Sequence, residues 1–382
     1  MNKKILIVAG EASGDLHAAS LVRQLKYVHP GIAFYGLGGK NMKTEGVDIA
    51  YDLTQIAVIG FFEILKNYSH FKKLFLDLLE KTKQEKPDAA ILVDYPGFNL
   101  RLAQELKKMG IPVIYYISPQ IWAWGRKRLA TIKKCVSLML VFFKFEEVLY
   151  RDGAFRVKFV GHPLLDMVKP SATREQLLNS IGFKKQATTL ALLPGSRERE
   201  ITNLLPPMLA AALRIHAALP ATQFLICRAS TVPRELIKKI LDQFKIDFPY
   251  KILDNQTHDG LAASDFAIVA SGTATLETAI LNKPMVIIYK VSFLTWLLAK
   301  LFIKIRYIGL VNVVAGKRLV PELVQFAATP ANIARTTLKL LQDKNALEKI
   351  HTELYSLKNS LGIPGAAHRA AEEISAFLQT KA

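Results

Sequence analysis

Cysteine is nearly absent: the 382 residues contain two, Cys135 and Cys227, far apart and in different halves. That excludes a disulfide framework and a CxxC metal site, and two plain core thiols fit a reducing compartment, the cytoplasm. Long apolar runs are missing as well. The longest stretch without Asp, Glu, Lys or Arg is Met109–Gly125, 17 residues, and it carries Pro112 and Pro119. It is therefore no transmembrane helix. The opening run Ile5–Ala9 is too short for a signal peptide and stops at Gly10-Glu11, so it reads as a first buried strand. No repeat or low-complexity tract is present. No two aspartates stand two residues apart, which removes the D-x-D metal motif, and neither H-E-x-x-H nor G-x-S-x-G occurs. The eight histidines show no ligand spacing; only His17 and His162 fall in site-like loops. Acidic residues are scarce, 32 against 51 Lys and Arg, a net charge of +19. Such a chain favours anionic partners, nucleic acid or an anionic membrane surface.

What is present is an alternation of short apolar runs with helical patterns. Strands are expected at Ile5–Ala9, Ala33–Gly36, Ala89–Val93, Val113–Ile117, Leu138–Phe142 and Val157–Val160. Helices are expected at Asp15–Val28, Phe61–Lys83, Asn99–Met109 and Phe145–Arg151. Near His162-Pro163 the pattern pauses, and Lys169–Thr173 reads as a linker ending in a helix cap. Strands resume at Thr189–Leu193, Gln223–Cys227, Phe266–Ala270 and Met285–Tyr289, and the chain turns helical after Pro330. Continuous apolar strands joined by helices indicate parallel sheets covered on both faces. The expected fold class is α/β: two doubly wound domains facing a cleft, residues 1–168 and 169–345, with C-terminal helices over 346–382. In such sheets ligands sit beyond the carboxyl ends of the strands, so the loops there carry the interest.

The first strand runs into Gly10-Glu11-Ala12-Ser13-Gly14-Asp15-Leu16-His17. Its small residues open a helix whose free N–H groups could hold a phosphate; an ordinary helix cap explains it equally well. It is neither a Walker loop nor G-x-G-x-x-G. Asp94 follows Leu92-Val93 at a strand end, where a carboxylate is costly to bury unless paired or used. It stands where a general base belongs, or it caps the next helix. Ser118-Pro119-Gln120-Ile121-Trp122-Ala123-Trp124 holds two of the three tryptophans and leads into Gly125-Arg126-Lys127-Arg128. An aromatic shelf beside cations suits a sugar phosphate or lipid headgroup; the other reading is a packed loop with a solvated charge run. In the second half, Pro194-Gly195-Ser196-Arg197 places an arginine in a glycine loop, suited to a diphosphate. Ser271-Gly272-Thr273-Ala274-Thr275-Leu276-Glu277 puts small residues at a helix start, open to phosphate, with Glu277 one turn in, able to take ribose hydroxyls. Together the last two make a nucleotide diphosphate site.

Taken in order, these strings resemble the lipid-A-disaccharide synthase family. The matching segments are G-E-A-S-G-D at Gly10–Asp15, D-x-P-x-F-N at Asp94–Asn99, S-P-x-I-W-A-W at Ser118–Trp124 and G-H-P at Gly161–Pro163. The second half adds L-P-G-S-R at Leu193–Arg197, S-G-T-A-T-L-E at Ser271–Glu277 and V-N-x-x-A-G at Val311–Gly316. One departure is Ala18-Ala19, where the family pattern has a glycine. The resemblance implies a GT-B fold of two Rossmann-like domains and an inverting transfer without metal or cofactor. The donor would be UDP-2,3-diacylglucosamine and the acceptor 2,3-diacylglucosamine 1-phosphate. It implies Asp94 as base, and Ser196, Arg197, Ser271, Gly272, Thr273, Ala274, Glu277 and Asn312 around the nucleotide. Glu11, Ser13, Gly14, Asp15, His17, Trp122, Arg126 and Arg128 would line the acceptor side. Family members can be homodimers that exchange C-terminal segments, which the tail after Pro330 would permit.

Acylated substrates suggest a membrane surface. Phe61, Ile64, Leu65, Tyr68, Phe71, Phe75, Leu78 and Leu79 recur at helical spacing, widened by Phe62, Leu74 and Leu76 and edged by Lys66, Lys72, Lys73, Lys81 and Lys83. A helix with such a face can lie in an anionic bilayer surface or simply cover a sheet. Two rival classes remain. A UDP-sugar epimerase could use the same scaffold. A nucleic-acid binder would carry cations with stacking aromatics along one groove, whereas here cations recur with aliphatic stretches, as in Trp296–Lys304, so no nucleic acid is expected.

Overall fold

The computed structural model describes residues 3–53, 68–122, 128–151, 153, 155–291 and 306–380. They form two compact units, Met1–Pro163 with Leu361–Ala382, and Leu164–Ser360. In the first unit the strands are β1 (Lys4–Ala9), β2 (Ala33–Gly38), β3 (Asp48–Asp52), β4 (Ala89–Val93), β5 (Val113–Tyr116), β6 (Leu138–Val141) and β7 (Val157–Phe159). The helices between them are α1 (Ala12–Val28), α2 (Lys40–Thr44), α3 (Tyr68–Glu85), α4 (Pro96–Lys108), α5 (Arg128–Cys135) and α6 (Lys144–Tyr150). The sheet is parallel and ordered β3-β2-β1-β4-β5-β6-β7. The chain moves outward from β1 to β3, then returns to β1's other side at β4, pairing Ile5 with Ala89 through Ala9 with Val93. The loops after β1 and β4 therefore diverge, which is where such a sheet opens a crevice.

Alternation along β1 decides which helix covers which face. Ile5, Ile7 and Ala9 join a core with Leu21, Val22 and Leu25 of α1, while Leu6 and Val8 join Leu102 and Leu106 of α4. The first face is completed by the C-terminal helix Ala366–Gln379, whose Ala370, Ala371, Ile374, Phe377 and Leu378 pack into the same core. His29 Nε2 meets Ser375 Oγ at 2.5 Å, and Arg369 donates to the carbonyls of Val160, Ile363 and Pro364. Residues 361–380 thus complete the first unit, although the chain has already traversed the second.

The second unit repeats the plan with β8 (Thr188–Leu193), β9 (Thr222–Arg228), β10 (Tyr250–Asp254), β11 (Phe266–Ala270), β12 (Met285–Tyr289) and β13 (Glu322–Val324). Its helices are α7 (Leu164–Met167), α8 (Arg174–Ser180), α9 (Glu198–Ala218), α10 (Arg234–Leu241), α11 (Thr257–Ala263), α12 (Ala274–Ile280), α13 (Leu310–Ala315), α14 (Pro330–Gln342) and α15 (Lys344–Ser360). The C-terminal helix is α16. The order β10-β9-β8-β11-β12-β13 puts the switch between β8 and β11. Thr173 caps α8 reciprocally with Gln176, ending the linker as expected.

Of the apolar helical stripe, residues 54–67 lie outside the described residues, as does 292–305. The described part of α3 corrects the membrane-facing reading for its half: Leu74 and Leu78 are buried and Phe75 and Leu79 pack beside them against the sheet. Leu76 alone of these is open, 53% exposed. Among the described residues no helix is long and apolar enough to cross a membrane.

Candidate active site

Asp94 follows the last residue of β4, at the switch point of the first sheet. Its backbone is left-handed, φ +46°, and so is that of Tyr95, φ +45°. The chain therefore turns sharply off the strand before α4 begins. Tyr95 packs over Gly10 at the end of β1: a Cβ on Gly10 would lie 2.2 Å from the Tyr95 ring, so only glycine allows the approach. Burial, with the Glu11 carboxylate adding repulsion and the Tyr95 N–H opposing, pushes the Asp94 carboxyl up to about 6. It is ionised at neutral pH but is a stronger base than a surface aspartate.

The neighbouring loops sort the acceptor-side candidates. Glu11, just before α1, and Ser13, in its first turn, are exposed, and Gly14 is buried against Ala9 and Val93. Asp15 is 2% exposed and accepts the N–H groups of Gly39, Asn41 and Met42 at 2.7–3.1 Å. The carboxylate is occupied in capping α2. His17 meets Phe142, just beyond β6, edge to face at 5.6 Å, and His162 meets Phe142 and Phe143 at 5.5 and 5.0 Å. Burial lowers His17 to about 4 and His162 to about 3, with His17 adding to the latter, so both rings are neutral at pH 7. Trp122 donates its indole N–H to Glu146 at 3.2 Å and packs on Phe145. Burial pushes that carboxyl up to about 7. Arg128 begins α5, half-buried; Arg126 lies outside the described residues.

In the second unit the loops after β8 and β11 flank the switch point. Gly195 has φ +118°, and its Cα faces Glu200 so closely that a Cβ would lie 2.4 Å from Glu200 Oε2. Glu200 accepts from the N–H groups of Ser196 and Arg197, folding the loop onto the start of α9. The Arg197 side chain is 83% exposed, only 3.9 Å from Glu200 at its closest, and open to an anion. After β11, Ser271 Oγ donates to Ile308 O at 3.0 Å, Gly272 and Thr273 are exposed, and Ala274 starts α12. Glu277 receives His258 Nε2 at 3.1 Å. Asn312 is wholly buried. Its amide donates to Val320 O and Glu322 and accepts from the N–H groups of Leu319 and Val320. Both ends of that amide are used within the protein, and Asn312 braces the segment between α13 and β13. Among the described residues no group of three His, Cys, Asp or Glu side chains could hold a metal ion.

The sequence model of a family described as lipid-A-disaccharide synthetase matches residues 5–374. Lipid-A-disaccharide synthase of Syntrophus aciditrophicus (strain SB) is 48% identical over 374 residues, 97% of each chain. The chain belongs to the lipid-A-disaccharide synthase family. As a member of that family it is a glycosyltransferase, a hexosyltransferase. The fold agrees. UDP-GlcNAc 2-epimerase from Neisseria meningitidis superimposes with a TM-score of 0.62 at 13% identity, covering 99% of this chain and 100% of the other. The calicheamicin glycosyltransferase CalG4 gives 0.62 at 14%, covering 99% and 98%. At such identities the likeness speaks for architecture alone, which is GT-B.

Seen as a synthase of this family, the chain also has site neighbours that the sequence reading passed over. Tyr95 and Tyr115 frame Asp94, Phe142 touches both histidines and Phe143 touches His162, Glu146 holds Trp122, and His258 holds Glu277. Tyr95, Phe142 and Phe143 follow strand ends, a position rule that could have found them. Tyr115, Glu146 and His258 sit inside elements and had no such signal.

Proposed function

We propose that this chain transfers 2,3-diacylglucosamine from its UDP donor to the 6-hydroxyl of 2,3-diacylglucosamine 1-phosphate with inversion. The products are the β-1,6-linked disaccharide 1-phosphate and UDP. The observation that carries the reading is Asp94, a carboxyl raised to about 6 at the first sheet's switch point. In a single displacement the acceptor oxygen forms the bond to C1 as the bond from C1 to the diphosphate breaks, and Asp94 takes the hydroxyl proton. One base and no covalent intermediate is the economy of inverting glycosidases also. The leaving diphosphate gathers charge, which the exposed Arg197 guanidinium and the N–H groups after Gly272 would balance without a metal. Glu277, steadied by His258, would hold the ribose. Ser196, Ser271, Thr273 and Ala274 would shape the nucleotide loop. Glu11, Ser13, Gly14, His17, Trp122, Arg126 and Arg128 would shape the acceptor side.

The acylated substrates live in a bilayer, so the enzyme would act at an anionic membrane surface on the cytoplasmic side. The net charge of +19 supports this. To test the transfer, purified protein is incubated with UDP-diacylglucosamine, with and without the monophosphate acceptor, and products are identified by mass. The disaccharide phosphate should form only with both. A rearranged UDP-sugar without acceptor would instead make the protein an epimerase.

A further inference from the structure

We infer that Tyr115 and Asn99 are positioning residues for Asp94, fixing the carbonyl of that residue and thereby the direction of its carboxylate. This rests on the reading of Asp94 as the base. Two successive residues with a Cβ are left-handed here, φ +46° and +45°. Aspartate tolerates that conformation, but a tyrosine rarely adopts it, and the pair persists only where surrounding contacts over-determine it. Those contacts converge on one atom. Tyr115 Oη donates to Asp94 O at 2.6 Å, and Asn99 Nδ2 donates to the same oxygen at 2.8 Å and to Val93 O at 3.1 Å. Asp94 N donates to Tyr116 O at 3.0 Å, keeping the residue in register with β5.

Both donors come from the rigid frame. Tyr115 lies within β5 and Asn99 in the first turn of α4, and both are wholly buried. The other end of the Asn99 amide, Oδ1, has no partner among the described residues, so its donor end is what the fold uses. If either donor is lost, the Asp94 carbonyl can rotate, the strand can continue in ordinary extended geometry, and the carboxylate swings toward water. The charged and titratable groups about Asp94 are Glu11 on the β1 loop, Tyr95 beside it, Tyr115 beneath it and Arg128, which acts on Tyr115. Removing the Tyr115 hydroxyl leaves the charges of Glu11 and Arg128 unchanged.

The test is Tyr115→Phe, with Asp94→Asn as reference. Tyr115→Phe should remain folded and bind UDP as before, with kcat reduced about five- to tenfold, the scale of one hydrogen bond. The acid limb of its kcat/KM profile should move down from about 6 toward the ordinary carboxylate range, because the released carboxylate regains water. A purely structural tyrosine would lower activity without moving that limb. A second readout needs no turnover: the stability gained at pH 8 by Asp94→Asn should shrink when measured in the Tyr115→Phe background. Wild-type kcat and an unmoved acid limb in Tyr115→Phe, or an undiminished stability gain in the double variant, would overturn the proposal while leaving Asp94 as base. An active Asp94→Asn would remove the base itself, a distinct result.

Discussion

Replacing Asp94 by asparagine should make the protein much less active and more stable at the same time. Asparagine accepts the left-handed φ of +46° and keeps the shape of the side chain, so the substitution changes the charge and little else. Burial raises the carboxyl from 3.8 to about 6. At about 1.36 kcal/mol for each pH unit, the ionised form weakens the fold by up to about 3 kcal/mol. The sign follows from linkage. The folded state binds this proton more tightly than the unfolded chain does. The stability it contributes is complete below the unfolded value, near pH 4, and is lost as pH rises through 6. Asparagine does not titrate, so the variant should match wild type near pH 4 and exceed it by up to about 3 kcal/mol at pH 8. Urea unfolding across that range reads the difference. Turnover should fall by roughly two to four orders of magnitude, the scale of a general base. A variant less stable at pH 8, or a gap independent of pH, would refute the burial argument. Near-normal turnover would move attention to Glu11 or His17, since Asp15 is occupied with α2.

The remaining expectations are separate. Glu11→Gln removes the repulsion on Asp94, so the acid limb of kcat/KM should shift below the wild-type position near 6; an unmoved limb would mean that Glu11 does not act on Asp94. Arg197→Ala and Glu277→Ala should each weaken UDP binding by roughly 1.5–3 kcal/mol by calorimetry, and unchanged dissociation constants in both would place the nucleotide elsewhere. Activity should survive excess EDTA; a loss that Mg²⁺ restores would show that Arg197 and the N–H groups after Gly272 are insufficient. Asp15→Ala should destabilise the fold by about 1–3 kcal/mol through three uncapped N–H groups, leaving the acceptor KM alone. A raised KM in a protein of normal stability would return Asp15 to the substrate.

The central strands were legible because their composition is extreme. Ala89–Val93, Phe266–Ala270 and Met285–Tyr289 are unbroken apolar runs, and each lies where it was expected. The strands missed were β3, β10 and β13, all at sheet edges. Asp48–Asp52 begins and ends with aspartate, Tyr250–Asp254 carries Lys251, and Glu322–Val324 has three residues. An edge strand faces water along one side, so no continuous apolar run is required of it. The switch-point loops were legible because glycine, serine and charge follow buried strands there. What composition could not reveal was how each polar side chain is used. Asp15 and Glu11 stand four residues apart in one motif, yet one is sealed against α2 and the other is exposed beside Asp94. Asn312 likewise has the chemistry of a nucleotide contact, and composition could not show that its amide also bonds Leu319, Val320 and Glu322.

The reaction itself is tested most directly at the new anomeric centre. Purified protein is given α-linked UDP-2,3-diacylglucosamine and 2,3-diacylglucosamine 1-phosphate, and the product is examined by proton NMR while UDP is quantified. A β-1,6 linkage, with one UDP released for each disaccharide and none without acceptor, is the expected result. An α linkage, or UDP released in the absence of acceptor, would contradict a single displacement by a hydroxyl that Asp94 deprotonates.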